Sequence, residues 1–209
     1  MSDPIEALCR KITNIFEVDD PLGDYGYVED LDDGRGYTVT HFGFCENTGD
    51  LDDVIAAAGL EGDLELTTNR KNFPANWKRR LNDGASRSKL IAACDSVARR
   101  LYWEPAAKAV AEDNLSDNPF AYAVYYDTLI QHGGGDDPDS FYSIRQKAAG
   151  DLSTFLKIRR RVLLHATDPE TREAWRESVD RVDELEDLSN NPKLKGDLEI
   201  SGHSVRGLS

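Results

Sequence analysis

The sequence predicts a mainly helical α+β domain, and three observations carry that expectation. Runs with the apolar spacing of a helix far outnumber runs that alternate like a strand. A helix start is marked within the first six residues by Asp3, Pro4 and Glu6. One short stretch, residues 25–44, is rich in Tyr, Thr, Val and Phe between turn residues and reads as extended chain. The length of 209 residues suits one domain, or two lobes sharing one core, over 1–188, with a small β element near the front.

In the first helix Asp3 is the N-cap, Pro4 the first helical residue and Glu6 the third residue after the cap. Ile5, Leu8, Ile12, Ile15 and Phe16 then form a one-sided stripe, with Glu17 at its edge where the helix should end. Residues 50–59 read as a helix with an acidic first turn, closed by Gly59. Residues 60–84 read as polar and irregular, and a helix resumes near Ser86 and breaks near Pro105. Further helices fit 105–115, 119–131, 138–149, 151–166 and 169–186, and 189–209 reads as a loop-rich tail.

Asp and Glu number 39 against 25 Lys and Arg, a net charge of −14, which argues against a nucleic-acid binder and for a cationic ligand. Such acidity is also compatible with a high-salt habitat. Cys9, Cys45 and Cys94 are odd in number and far apart, without Cys-x-x-Cys or Cys/His spacing, so neither a disulfide framework nor a metal site is expected. No cofactor is called for. No apolar run is long enough for a membrane helix, and the first sixteen residues lack the apolar core of a secretory signal.

Two carboxyls stand out. Glu17 follows Ile15 and Phe16 and precedes Val18; apolar surroundings would keep it protonated and able to give a proton away. Asp33 sits directly before Gly34-Arg35-Gly36, where the guanidinium should keep it ionised, and the Thr38 hydroxyl past the turn could help it hold a water. A protonated and an ionised carboxyl are the minimum kit for glycoside cleavage. Asp127 stands in the apolar run "FAYAVYYDTLI" and needs a partner if buried. Arg159 falls in the stripe of Phe155, Ile158 and Val162, and Arg172 shares a helical face with Trp175 and Val179, so an Arg–Asp–Arg cluster is expected. "HGGGDDPDSF", residues 132–141, reads as a loop between helices, since no Lys-Ser or Lys-Thr follows to make a phosphate cradle.

The stretch "YGYVEDLDDGRGYTVTHFGFCENTGD" resembles the signature region of the chitosanases of glycoside hydrolase family 46, as do "RRLYWEPA" and "FAYAVYYDTLIQHGGGDDPDSFYSIR". The likeness spans roughly residues 5–175 and is poor over 60–84. It implies a lysozyme-like fold with two lobes flanking a substrate cleft. It also implies endo-cleavage of β-1,4-linked glucosamine polymers with inversion. By position, Glu17 would be the general acid, Asp33 the general base and Thr38 a helper in placing the water. Tyr27, Arg35 and Asp50 would line the sugar sites, with His132 counted among the substrate-binding residues, and Asp127, Arg159 and Arg172 would form a buried charge cluster. The implied partner is a cationic amino-sugar polysaccharide outside the cell. Another surface glycan, cut by a virus-borne relative, and a non-catalytic glycan-binding or particle protein are the alternatives.

Overall fold

The computed structural model describes residues 3–30, 36–68 and 70–209. The chain divides into two compact units, Met1–Pro21 with Glu104–Ser209, and Leu22–Trp103.

The first unit opens with α1 (Pro4–Val18). Asp3 Oδ1 accepts from the Ile5 N–H at 2.9 Å, which satisfies one of the free donors of the first turn. The expected stripe is realised: Leu8, Ile12 and Ile15 are buried. The helix stops at Asp19, which takes a left-handed conformation at φ 55° and returns its N–H to Ile15 O at 2.9 Å. After α6 (Glu104–Glu112) comes α7 (Pro119–His132), which buries Phe120, Val124, Tyr125, Tyr126, Asp127 and Leu129 and lies along α1. α8 (Phe141–Ala148) and α9 (Leu152–His165) follow.

The helix expected over 169–186 is two: α10 (Pro169–Arg176) and α11 (Val179–Leu188), interrupted at Glu177–Ser178. The expected loop-rich tail is also corrected. Residues Asp197–Ile200 and His203–Arg206 pair as an antiparallel hairpin, β4–β5, and Leu194, Leu198, Ile200 and Val205 are buried. Its turn is Ser201–Gly202, with φ of 46° and 80°, signs that match the strand twist.

Four elements of this unit meet at Asp127, which is 0% exposed. Thr13 of α1 donates to its Oδ1 at 3.0 Å. Arg159 Nη2, from α9, donates to Oδ2 at 2.7 Å. Arg181, from α11, forks onto both oxygens, Nη2 to Oδ1 at 2.6 Å and Nε to Oδ2 at 3.0 Å. Burial alone would raise the Asp127 pKa; Arg181 and Arg159 reverse that and hold the carboxyl below its usual range.

His132, expected among the substrate-binding residues, is buried as well. Its ring packs 4.5 Å from that of Trp175. Nδ1 lies 3.0 Å from Asp139 O; a carbonyl only accepts, so Nδ1 carries the proton. The ring pins the loop after α7, and its Nε2, also buried, has no hydrogen-bond partner among the described residues. Burial, then the nearby Arg159 charge, push its pKa down to about 3.

In the second unit β1 (Val28–Asp30), β2 (Tyr37–Val39) and β3 (Phe44–Cys45) form an antiparallel sheet in the order β1-β2-β3. α2 (Asp50–Ala57) follows it. Residues 60–84, expected to be irregular, hold α3 (Leu64–Thr67) and α4 (Phe73–Asn82). Phe73, Trp77 and Leu81 recur every four residues and are buried, and Tyr37 stacks on Phe73 with ring centres 5.0 Å apart. α5 (Gly84–Ala98) continues through a π-helical turn, Arg99–Trp103, directly into α6. Pro105, the second residue of α6, has no N–H to donate to the preceding turn, and the π-helical turn directly before it accommodates that loss.

Two outcomes are expected. Asp127→Ala leaves two buried guanidiniums without their counter-charge and should cost about 3–5 kcal/mol in denaturant unfolding; a cost under about 1 kcal/mol contradicts the hub. For His132 the folded pKa lies below the unfolded value of about 6.5. Its contribution is complete above that value and is lost as pH falls from 6.5 toward 3. Stability should fall more steeply over this range in the wild type than in His132→Asn, which keeps a donor for Asp139 O; parallel curves would contradict the assignment.

Candidate active site

Glu17 stands in the last turn of α1. Its sequence neighbours are apolar, but successive helical residues point about 100° apart. Ile15 turns into the core at 3% exposure, while the Glu17 side chain keeps 27%. Its Oε1 accepts from Arg181 Nη1 at 2.6 Å. The expected apolar pocket is therefore corrected: the carboxyl faces a guanidinium, which itself lies 5.2 Å from the centre of the Phe16 ring. Oε2 has no hydrogen-bond partner among the described residues.

Arg181 thus spans two carboxylates, Glu17 and Asp127. The cluster expected of Asp127, Arg159 and Arg172 is built from Asp127, Arg159 and Arg181 instead. Arg172 Nε donates to Ala166 O at 2.8 Å and ties down the turn before α10. The reason is the interruption at Glu177–Ser178. A continuous helix would put Arg172, Trp175 and Val179 on one face, but the break resets the phase and presents Arg181 to the core. The signal for Arg181 was available, since Arg181, Leu185 and Leu188 are spaced on one face and all buried. Gln131, also missed, accepts from Arg159 Nη2 at 2.5 Å.

The remaining candidates belong to the second unit. Thr38 is central in β2, opposite Glu29 on one side and Cys45 on the other. Its Oγ1 lies 3.2 Å from the Cys45 Sγ. Cys45 is a buried free thiol. Tyr27 is 37% exposed and its hydroxyl donates to Glu29; partial burial and that carboxylate push its pKa up to about 12. It stays a neutral donor at physiological pH. Asp50 is the first residue of α2, where the helix N-terminus favours a negative charge. Thr48 donates to its Oδ2 at 2.8 Å, which fixes the carboxylate's direction.

Asp33 and Arg35 lie outside the described residues, as does Asp32. Gly36, which follows them, has φ 71°, and a Cβ there would come 2.5 Å from the Glu46 carboxylate. That carboxylate accepts the Tyr37 N–H at 3.2 Å. Glycine is demanded here by backbone angle and by close approach together, so the tripeptide Gly34-Arg35-Gly36 is constrained at its second glycine.

The first unit by itself offers a carboxyl gripped by a buried cation, and the second by itself a strand and a helix start carrying hydroxyl and carboxylate groups. Comparison with known proteins gives them a setting. The family model of glycosyl hydrolase family 46 matches residues 12–59 and 60–197. It thus runs through the 60–84 stretch where the likeness was expected to be poor, and past residue 175 through α11 and Arg181. A chitosanase of Bacillus subtilis (strain 168) is 37% identical over 225 residues, covering 91% of this chain and 79% of its own. A family 46 chitosanase of Gynuella sunshinyii, solved with chitotetraose, superposes with a TM-score of 0.81 at 31% identity, covering 98% of each chain. A mutant Bacillus subtilis chitosanase complexed with 6 GlcN superposes at 0.80 and 35% identity, covering 98% of this chain and 96% of its own. With its mostly helical fold matched to these structures, and the family model running nearly end to end, this chain belongs to glycosyl hydrolase family 46 and is a glycoside hydrolase.

Proposed function

We propose that the protein is an endo-acting chitosanase that cuts β-1,4 links between glucosamine units with inversion. The observation that carries this is a surface-reaching Glu17 clamped by Arg181, on a chain whose named relatives are chitosanases. Two of its structural neighbours hold chitotetraose or GlcN units, the same class of amino sugar. The net charge of −14 favours a polymer of ammonium groups, because an acidic surface raises the local concentration of cations.

In this reading Glu17 is the general acid. Arg181 holds Oε1, and Oε2 carries the proton to the glycosidic oxygen as the bond to the leaving sugar breaks. The carboxylate left behind faces the guanidinium that already holds it, so the charge formed in the step is met by a partner in place. Asp33 is the general base, taking a proton from the water that attacks the anomeric carbon on the opposite face of the ring. The hydroxyl of Thr38 helps to hold that water. A single displacement of this kind inverts the anomeric centre. Asp50 offers its carboxylate to a glucosamine ammonium, and Tyr27 and Arg35 contact the sugar hydroxyls. Asp127 and Arg159 act from the core by fixing Arg181.

Glu17→Gln and Asp33→Asn should each lower kcat on soluble chitosan by about a thousandfold, with the thermal midpoint nearly unchanged. Activity within about tenfold of wild type in either variant removes that residue from the mechanism. Proton NMR of the first products should show the α anomer at the new reducing end. A β anomer as the first product rules out inversion while leaving the substrate assignment standing.

A further inference from the structure

We infer that the C-terminal hairpin β4–β5 is a strap that positions Glu17 and Arg181, with His203 and Glu184 as positioning residues for the reaction. The inference rests on the reading of Glu17 as proton donor.

The strap is fastened at two points. His203 Nε2, in β5, lies 2.8 Å from Asp19 Oδ1, two residues beyond Glu17 at the close of α1. Glu184, in α11, receives both donors of the turn residue Ser201: the N–H at 2.6 Å on Oε2 and the hydroxyl at 2.8 Å on Oε1. Glu184 stands three residues after Arg181, one turn along the same helix face. Each fastening thus seizes the backbone element that carries one partner of the Glu17–Arg181 bond. Phe16, Asp19, Arg181, Glu184 and Ser201 line one cavity of about 240 Å3 at this junction.

Two features separate this from ordinary surface bonding. The hairpin is already anchored by its apolar side, where Leu198, Ile200 and Val205 are 1–3% exposed. The Asp19 carboxylate, by contrast, is 83% exposed and His203 is 32% exposed, so their bond adds little to stability. The residues seized mark the end of α1 and the turn of the hairpin: Asp19 and Ser201 both hold left-handed backbone, at φ 55° and 46°. Fastening the end of α1 through a bond of small energetic worth fits a device for geometry. Small displacements matter at such a site, since a shift of about 1 Å in a reacting group can cost about a hundredfold in rate.

The test compares His203→Ala, His203→Gln, which keeps an amide donor near the Nε2 position, and Glu184→Ala. Each is read by kcat and KM on a glucosamine hexamer, by thermal melting, and by the Arg181 Nε–H resonance in 15N-labelled protein. Both alanine variants should lose about tenfold in kcat, with KM within about twofold, and should move the Arg181 resonance. His203→Gln should restore both. Wild-type kcat with an unmoved resonance in the alanine variants overturns the inference, as does an equal loss in His203→Gln. An alanine variant that fails to fold overturns it too, because the fastening is then a stability device. Should the wild type cleave no amino-sugar polymer, the hydrolytic reading fails instead, and the resonance alone decides whether the strap sets Arg181.

Discussion

Asp127 is sealed from solvent, and a carboxylate in that position is tolerable only where cations and donors reach it from several sides. That requirement arranges the first unit. Thr13 brings α1 to α7, Arg159 brings α9, and Arg181 brings α11. None of the three could slide along α7 without stranding a charge or a hydroxyl. Because α1 is registered in this way, its last turn comes to the same guanidinium that Asp127 holds, and Glu17 is met there by Arg181.

Stability by itself does not call for this arrangement. Well-packed apolar residues of similar volume often replace a buried ion cluster at no loss. Arg159 is fully buried, and its Nε and Nη1 have no partners among the described residues, an imperfection that an apolar side chain would not carry. What an apolar cluster could not do is present a fixed cation to a carboxyl at the surface. The charges are better explained by the placement of Glu17 than by the strength of the core. The neutral His132 beside Arg159 fits the same account, since a further cation there would only add repulsion.

Much of this was legible in the residues, and the failures have definite causes. Asp3-Pro4 and the stripe behind it marked α1 correctly, because capping and periodicity are local properties. Asp127 and Arg159 were found because a charge inside an apolar stripe must be paired. Arg172 was a wrong partner for a non-local reason: nothing in "REAWRESVDRV" breaks a helix outright, yet α10 ends there and the phase is lost. Glu17 was surrounded by apolar residues along the chain but not in space, which linear reading cannot separate. Phe73, Trp77 and Leu81 did announce α4, but the polar residues between them masked the period. Likewise "DLEISGHSVR" alternates Leu198, Ile200 and Val205 around a Ser-Gly turn, a hairpin signal hidden by a polar composition. Burial of His132 had no local mark.

Charge counting links the core to the chemistry. Two arginines against Asp127 leave the cluster at +1, and an ionised Glu17 brings it to zero. When Glu17 carries the proton that the proposed reaction requires, the +1 is uncompensated at a guanidinium that is 7% exposed. Passing that proton to a leaving oxygen restores neutrality without moving any protein atom far, because Arg181 already touches Oε1. The cost of keeping an extra buried cation is thereby borne by the state before transfer and relieved in the step itself. A surface arginine in the same role would be screened by water and would have to find Glu17 each time. Held on both Asp127 oxygens, Arg181 cannot follow the carboxyl away, so the charge formed in the step always meets the same partner.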